Sequence, residues 1–315
     1  MACFFVDIGC RLGYYMIVIH KRLWLLSLML LYMECFMSND KGYLTPEDYA
    51  EPRCLLCDEP YGVTPEVKSV PQQRIIQKMN EYMSRRDYAG AERHLKYWLE
   101  EAKLGNDKRG ELLIRNELVG HFRKTGNKDG AFESAAEALR LIAELDFDGT
   151  ISSGTTYINI ATAYNAFGED ERAIPLFEKA RAVYEANEST APELLGGLYN
   201  NMALTFTALK KYDDALELYD KALGVMANAP DGELEQAITH LNMADVYDAQ
   251  LGDGAEKKVE ELLDKAYDLL INSDVKKDGY YAFVCEKCAP VFSHYGYFLA
   301  AGELNKIAEA IYERD

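Results

Sequence analysis

Two cysteine pairs are the most chemically suggestive residues in the chain, CLLC at 54–57 and CEKC at 285–288. Four thiolates arranged as two CxxC pairs are enough for a tetrahedral zinc site. Here Cys54 and Cys57 stand about 230 residues from Cys285 and Cys288, so a shared site requires the N-terminal region to fold back onto the C-terminal end. Against it, Cys285 and Cys288 fall at core-facing positions of a predicted helix, where cysteine serves as a small apolar residue. No strand–helix thioredoxin setting surrounds either pair, which also disfavours a redox disulfide. His94, His121, His240 and His294 are scattered and form no HExxH. The glycines of GDGAE (252–256) lack the lysine and strand of a phosphate loop. The expectation is a non-enzymatic chain without metal or cofactor.

A different chemistry recurs at regular intervals. The chain reads NIATAY at 159–164, NMALTF at 201–206 and NMADVY at 242–247. Asparagine is a mediocre helix former because its side chain competes for backbone groups. Its return inside apolar helical stretches calls for a role, and an amide that both donates and accepts suits the gripping of another chain's backbone.

Composition narrows the partner. The 315 residues are 49% hydrophobic and 27% charged, which suits a folded protein. A formal charge of −18, from 34 Lys+Arg against 52 Asp+Glu, repels phosphate backbones. Nucleic acid is therefore excluded as a partner, and a protein or peptide partner of basic character is the easier electrostatic match. Seven cysteines in a chain this long do not make a disulfide framework, which points to a reducing, cytoplasmic setting.

The chain then divides into three regions. Residues 1–36 form a hydrophobic leader, with LWLLSLMLLYM at 23–33 behind His20-Lys21-Arg22. The apolar run is short of the roughly 20 residues of a membrane span, and no small-residue cleavage site follows. A start-site artefact with Met37 as the true start, a signal or anchor, and an ordered extension all stay open. No membrane association is expected unless this leader is a genuine anchor, which would also make the protein exported or anchored. Residues 37–72 carry Pro46, Pro52, Pro60, Pro65 and Pro71, forbidding a long helix, and are expected to form an extended arm. From Gln73 to residue 315 the pattern is helical, with atypical capping helices from about residue 279.

Within that last region the chain repeats. Ala91, Ala131, Ala173 and Ala215 recur at 40, 42 and 42 residues, each preceded nine residues earlier by an aromatic: Tyr82, Phe122, Tyr164 and Phe206. Gly126 and Gly168 fall in the turn between two helices. A fifth copy begins at HLNMADVYDA (240–249) and resumes after LGDGAE, implying a three-residue insertion in its turn. In the last copy Gly302 is favoured over Gly296 as the turn, leaving ELNKIAEAIYER as a short closing helix.

These small and aromatic residues on a helix–turn–helix resemble tetratricopeptide repeats. Copies three and four match best, through Ala161, Tyr164, Gly168, Ala173, Phe177 and Ala180, then Ala203, Phe206, Ala215, Tyr219 and Ala222. The usual unit is 34 residues. The longer spacing here is similar to kinesin light chains and some peptide-sensing bacterial regulators. The resemblance implies an all-α, right-handed solenoid of about five to six antiparallel helix pairs, with a concave groove lined by the first helices. Helical geometry turns the second, fifth, sixth, ninth, twelfth and thirteenth positions of each first helix toward that groove. They include Asn116, Arg123, Lys124, Asn159, Thr162, Asn165, Asn200, Asn201, Asn242, Asp245 and Asp248.

In several tetratricopeptide families, asparagines at the sixth position hold a ligand backbone. The resemblance implies that role for Asn159, Asn201 and Asn242. Arg123 and Lys124 toward one end of the groove, and Asp245 and Asp248 toward the other, would orient a peptide with its acidic part near Arg123. The lysine–asparagine–arginine clamp of chaperone-binding relatives is not reproduced. The expected function is a scaffold holding an extended segment. Two alternatives are a peptide-responsive sensor that changes curvature, and a structural protein whose groove is filled by its own N-terminal arm.

Overall fold

The computed structural model describes residues 67–313, all helix and connecting turns, with no strand among them. Two compact units divide the chain after Asn187. The first holds α1 (Gln72–Ser84), α2 (Tyr88–Leu104), α3 (Lys108–Thr125), α4 (Lys128–Glu144), α5 (Ile151–Ala166) and α6 (Asp170–Ala186). The second holds α7 (Pro192–Ala208), α8 (Tyr212–Met226), α9 (Glu233–Leu251), α10 (Glu256–Asn272), α11 (Gly279–His294) and α12 (Phe298–Tyr312). Among the described residues no helix is long and apolar enough to cross a membrane. The leader and most of the proline-rich arm lie outside the described residues.

Each unit is a series of helix pairs. The predicted alanines sit where helices meet: Ala91, Ala131, Ala173 and Ala215 are fully buried, as are Ala161, Ala203 and Ala244. Their small side chains let the backbones approach closely. A second contact occurs inside copy three and again inside copy four. A Cβ on Gly154 would stand 2.5 Å from the Tyr184 ring, and one on Gly196 would stand 2.1 Å from Met226 Cε. Glycine at the first position of these copies is thus a seat for a large residue near the end of the partner helix.

The turns inside the pairs use one backbone device. Arg86, Gly126, Gly168, Lys210, Gly252 and Gly296 all have positive φ, between 56° and 84°. Glycine adopts this conformation without steric cost, whereas Arg86 and Lys210 bear a Cβ penalty. In the last copy Gly296 makes the turn, and Gly302 lies inside α12. That corrects the expectation for Gly302, which has the composition of a turn but lies within the hydrogen-bonded run of a 15-residue helix. In the fifth copy the inserted residues extend α9 to Leu251 and add a 3-10 turn at Gly252–Ala255.

Capping explains three of the starts in the first unit. Asp87, Asp107 and Asn127 each accept a hydrogen bond from the backbone N–H of a glycine three residues on: Gly90, Gly110 and Gly130. A Cβ on Gly90 or Gly110 would lie 2.3 or 2.4 Å from the capping carboxylate, so the cap and the glycine are one motif. Asp107 does more. Its Oδ2 accepts from Val70 N at 2.9 Å while Oδ1 accepts from Gly110 N at 2.9 Å. Beside it Lys68 N donates to Gly105 O at 2.8 Å. Val70 itself is buried with Ile75, Leu95, Leu99, Ile114, Leu118 and Phe122. The last residues of the arm are therefore clasped against the turn between α2 and α3.

Candidate functional site

The first helices of neighbouring pairs touch: α3 with α5 in the first unit, and α9 with both α7 and α11 in the second. Helix α5 is buried around nearly its whole circumference, as is α7. Polar groove-position residues on these helices are thus held in a low-dielectric setting where hydrogen bonds must be satisfied.

In the first unit Asn159 is 5% exposed and its Nδ2 donates to Asn116 Oδ1 at 2.8 Å. The sixth-position amide of one first helix therefore meets the fifth-position amide of the one before it. Thr162 is wholly buried, and its hydroxyl donates to Ile158 O at 2.6 Å. Asn165 turns away from that pair and donates to Asp170 Oδ1 at the start of α6. Burial raises the Asp170 carboxyl above its ordinary range, more than the amide contact lowers it.

Two cations were expected on this face. Arg123 lies seven residues, two turns, beyond Asn116 on α3 and is buried, and burial pulls its guanidinium down to about 10. Lys124 points elsewhere, its Nζ 5.1 Å from the centre of the Tyr88 ring on α2. The expected pair of cations is divided between two directions, because consecutive helical residues are about 100° apart.

In the second unit Asn201 is 1% exposed, and its Nδ2 donates to Gly197 O on its own helix at 2.7 Å. Asn200 is fully buried and accepts from Thr239 Oγ1 of α9 at 3.1 Å. Thr239 Oγ1 also lies 2.7 Å from Glu235 O. Asn242 is half-buried on α9. Asp245 accepts from the Tyr295 hydroxyl at 2.9 Å, and Tyr280 donates to Glu235. Two tyrosines of the α11 segment are thus tied to acids of the α9 segment. Asp248 is exposed. The tyrosine–acid ties had no signal in the repeat pattern, since in copy three the positions of Tyr280 and Tyr295 hold Ser152 and Phe167, neither of which carries a phenol hydroxyl.

Of the four cysteines in the two pairs, two fall among the described residues. Cys285 and Cys288 are buried on α11 and not joined in a disulfide, and burial pushes the Cys285 thiol up to about 11. A thiol so protonated is a poor nucleophile and metal ligand. Cys54 and Cys57 lie outside the described residues, and no cluster of three metal-ligating side chains occurs among those described.

Family models for the tetratricopeptide repeat match residues 154–187 and 194–272. No curated protein sequence matches. Among solved structures, NprR bound to its cognate peptide NprX is 14% identical, with a TM-score of 0.54 over 92% of this chain and 74% of that one. The apo form of RapI is 15% identical, with a TM-score of 0.50 over 78% of this chain and all of the other. Repeats described as a Podosopora anserina kinesin light chain are 20% identical, with a TM-score of 0.46 over 64% and 95%. Tetratricopeptide repeats thus occupy residues 154–187 and 194–272, and the all-α helix pairs of the described residues are similar in fold to NprR and RapI.

Proposed function

We propose that this tetratricopeptide protein is a non-enzymatic scaffold whose units hold extended peptide segments along the faces of their first helices, with Asn159 in the first unit, and Asn201 and Asn242 in the second, meeting ligand backbone. The observation that carries the reading is the recurring amide. Asn159 and Asn116 sit on facing first helices, and the same residue type returns at the same repeat position in Asn201 and Asn242. The fold it shares with NprR, which was solved holding a peptide, supports the class of ligand.

The mechanism is exchange of partners. An Asn116–Asn159 pair gives up its mutual hydrogen bond, and each amide then takes a backbone N–H or C=O of the ligand. Because one bond replaces another, each asparagine nets about 0.5–1.5 kcal/mol, and several are needed for useful affinity. The acidic balance of the chain favours ligands of basic character.

The test is selection of displayed random peptides against the full chain, followed by titration of the enriched peptides. Asn159→Ala, Asn201→Ala and Asn242→Ala should each weaken binding about 2- to 10-fold. Unchanged affinity in all three variants would remove the amides from the binding element.

A further inference from the structure

We propose that the outer stripe of α2 is a self-association surface, through which the first units of two copies of this chain pair antiparallel about a two-fold axis at Tyr97. The inference stands apart from the peptide-binding reading and uses neither its helices nor its asparagines.

The first observation is exposure out of keeping with the repeat. Tyr97 is 56% exposed and Leu104 is 83% exposed, two turns apart on one stripe of α2. Counted from the aligned alanines, the position of Tyr97 holds Glu137, Lys179 and Lys221 in the next three repeats, and that of Leu104 holds Glu144, Ala186 and Asn228. A solvated helix face takes charged and polar residues there, so the fold itself does not call for a large apolar residue at either place. Tyr97 is also held in position. Its ring meets Trp98 edge-on at 5.2 Å between centres, and Trp98 packs against the apolar cluster that holds Leu95, Leu99 and Ile114. A ring fixed before contact loses little rotamer entropy on docking.

The second observation is charge that complements a copy of itself. Arg93 is exposed and Glu101 half-buried on the same stripe, four residues and about 6 Å to either side of Tyr97. Neither has an ion-pair partner among the described residues, whereas Lys96 and Lys103 beside them are paired with Glu92 and Glu100. In an antiparallel pairing centred on Tyr97, Arg93 faces Glu101 of the partner subunit, and the two-fold axis repeats that ion pair on the other side. Ala89 is small and exposed at the start of α2, and Leu104 lies over Ala89 of the partner subunit. A face that matches itself in charge and in size fits a second molecule of the same chain.

Local charge permits the approach. The chain carries −18 overall, yet residues 72–104 hold seven Lys+Arg against five Asp+Glu, a net of +2. Two such chains meet along the first helix pair without the acidic excess found elsewhere, and at 0.15 M salt the remaining repulsion is screened beyond about 8 Å. The 17 residues of α2 span about 25 Å. A stripe of that length belongs with small, transient interfaces, and a dissociation constant of the order of 100 µM is expected.

The experiment is sedimentation velocity of the full chain at 0.15 M salt, from about 5 to 500 µM, where monomer should give way to dimer around that value. Tyr97→Lys with Leu104→Glu introduces residue types that other repeats carry at these exposed positions, so the fold is kept while dimerisation should weaken about tenfold or more. Arg93→Glu and Glu101→Arg, each alone, should weaken it about tenfold, because each sets like charges opposite one another at both ends. An equimolar mixture of those two variants should regain dimers at the wild-type concentration, since every facing pair is again opposite in sign. Circular dichroism checks that each variant is folded. A wild type that stays monomeric throughout the series overturns the proposal, as does a dimer that Tyr97→Lys with Leu104→Glu leaves unchanged. A mixture no more associated than its separate components overturns the antiparallel pairing, and the proposal with it.

Discussion

Asp107 joins the arm to the first unit, and its replacement separates two functions of one carboxylate. In Asp107→Ala the α3 cap is lost, at about 1 kcal/mol. The buried Val70 N–H is also left without an acceptor, at about 1–3 kcal/mol. The carboxylate is 2% exposed and both bonds are 2.9 Å, so water offers little compensation, and a total of about 2–4 kcal/mol is expected. Asp107→Asn isolates the second term. Its single carbonyl oxygen can serve Gly110 N, which leaves an NH2 facing Val70 N–H, so it should cost about 1–3 kcal/mol.

The chain has two compact units, so global two-state unfolding is not assumed. Native-state hydrogen exchange at Lys68, Val70 and the start of α3 reads the local effect. About 3 kcal/mol corresponds to roughly 100-fold faster exchange there, with little change in α11 and α12. If Asp107→Asn exchanged like the wild type at Val70, the clasp would not be what holds the arm.

Lys210→Gly should stabilise the second unit by about 0.5–1 kcal/mol, because Lys210 has φ of 59° and bears the left-handed Cβ penalty; thermal unfolding checks it, and destabilisation refutes it. Gly154→Ala should cost about 1–3 kcal/mol, more than Gly196→Ala, because its new methyl meets the rigid Tyr184 ring rather than the flexible end of Met226; urea titration of both variants ranks them. For pH, burial holds His121 below its ordinary value, outweighing the Glu92 carboxylate 3.7 Å away, and holds His240 down to about 4. Both favour the neutral ring in the folded state, so their stabilisation is full above about pH 6.5 and is lost as pH falls toward their folded values. The carboxylates lowered by lysines, Glu144 and Glu169, lose theirs only below their ordinary 4.5. His121→Gln with His240→Gln should therefore flatten the stability curve between pH 6.5 and 4.5, and a persisting slope there would point to other groups.

The repeat was legible because its cause is local. Alanine at Ala91, Ala131, Ala173 and Ala215, and the aromatics ahead of them, are the residue types that close helix approach demands, and each recurs whenever the pair recurs. The Asp/Asn-x-x-Gly starts at 87, 107 and 127 were equally present in the sequence, since a cap needs its glycine three residues on. The turn at Gly296 was a closer decision. Both glycines permit a turn, and the choice went to the register that let α12 run from Phe298 and bury Ala301, Leu304, Ala308 and Ile311.

Side-chain direction at the groove positions belonged to the tertiary structure. Periodicity places Arg123 and Lys124 side by side, but packing sends Lys124 to Tyr88 and leaves Arg123 buried on the other side. It also pairs Asn159 with Asn116 across 43 residues and Tyr295 with Asp245 across 50. Such pairs depend on where two distant backbones come within hydrogen-bond reach. A repeat frame sets which residues share a helix face, whereas the partner each side chain takes is set by the element packed against it.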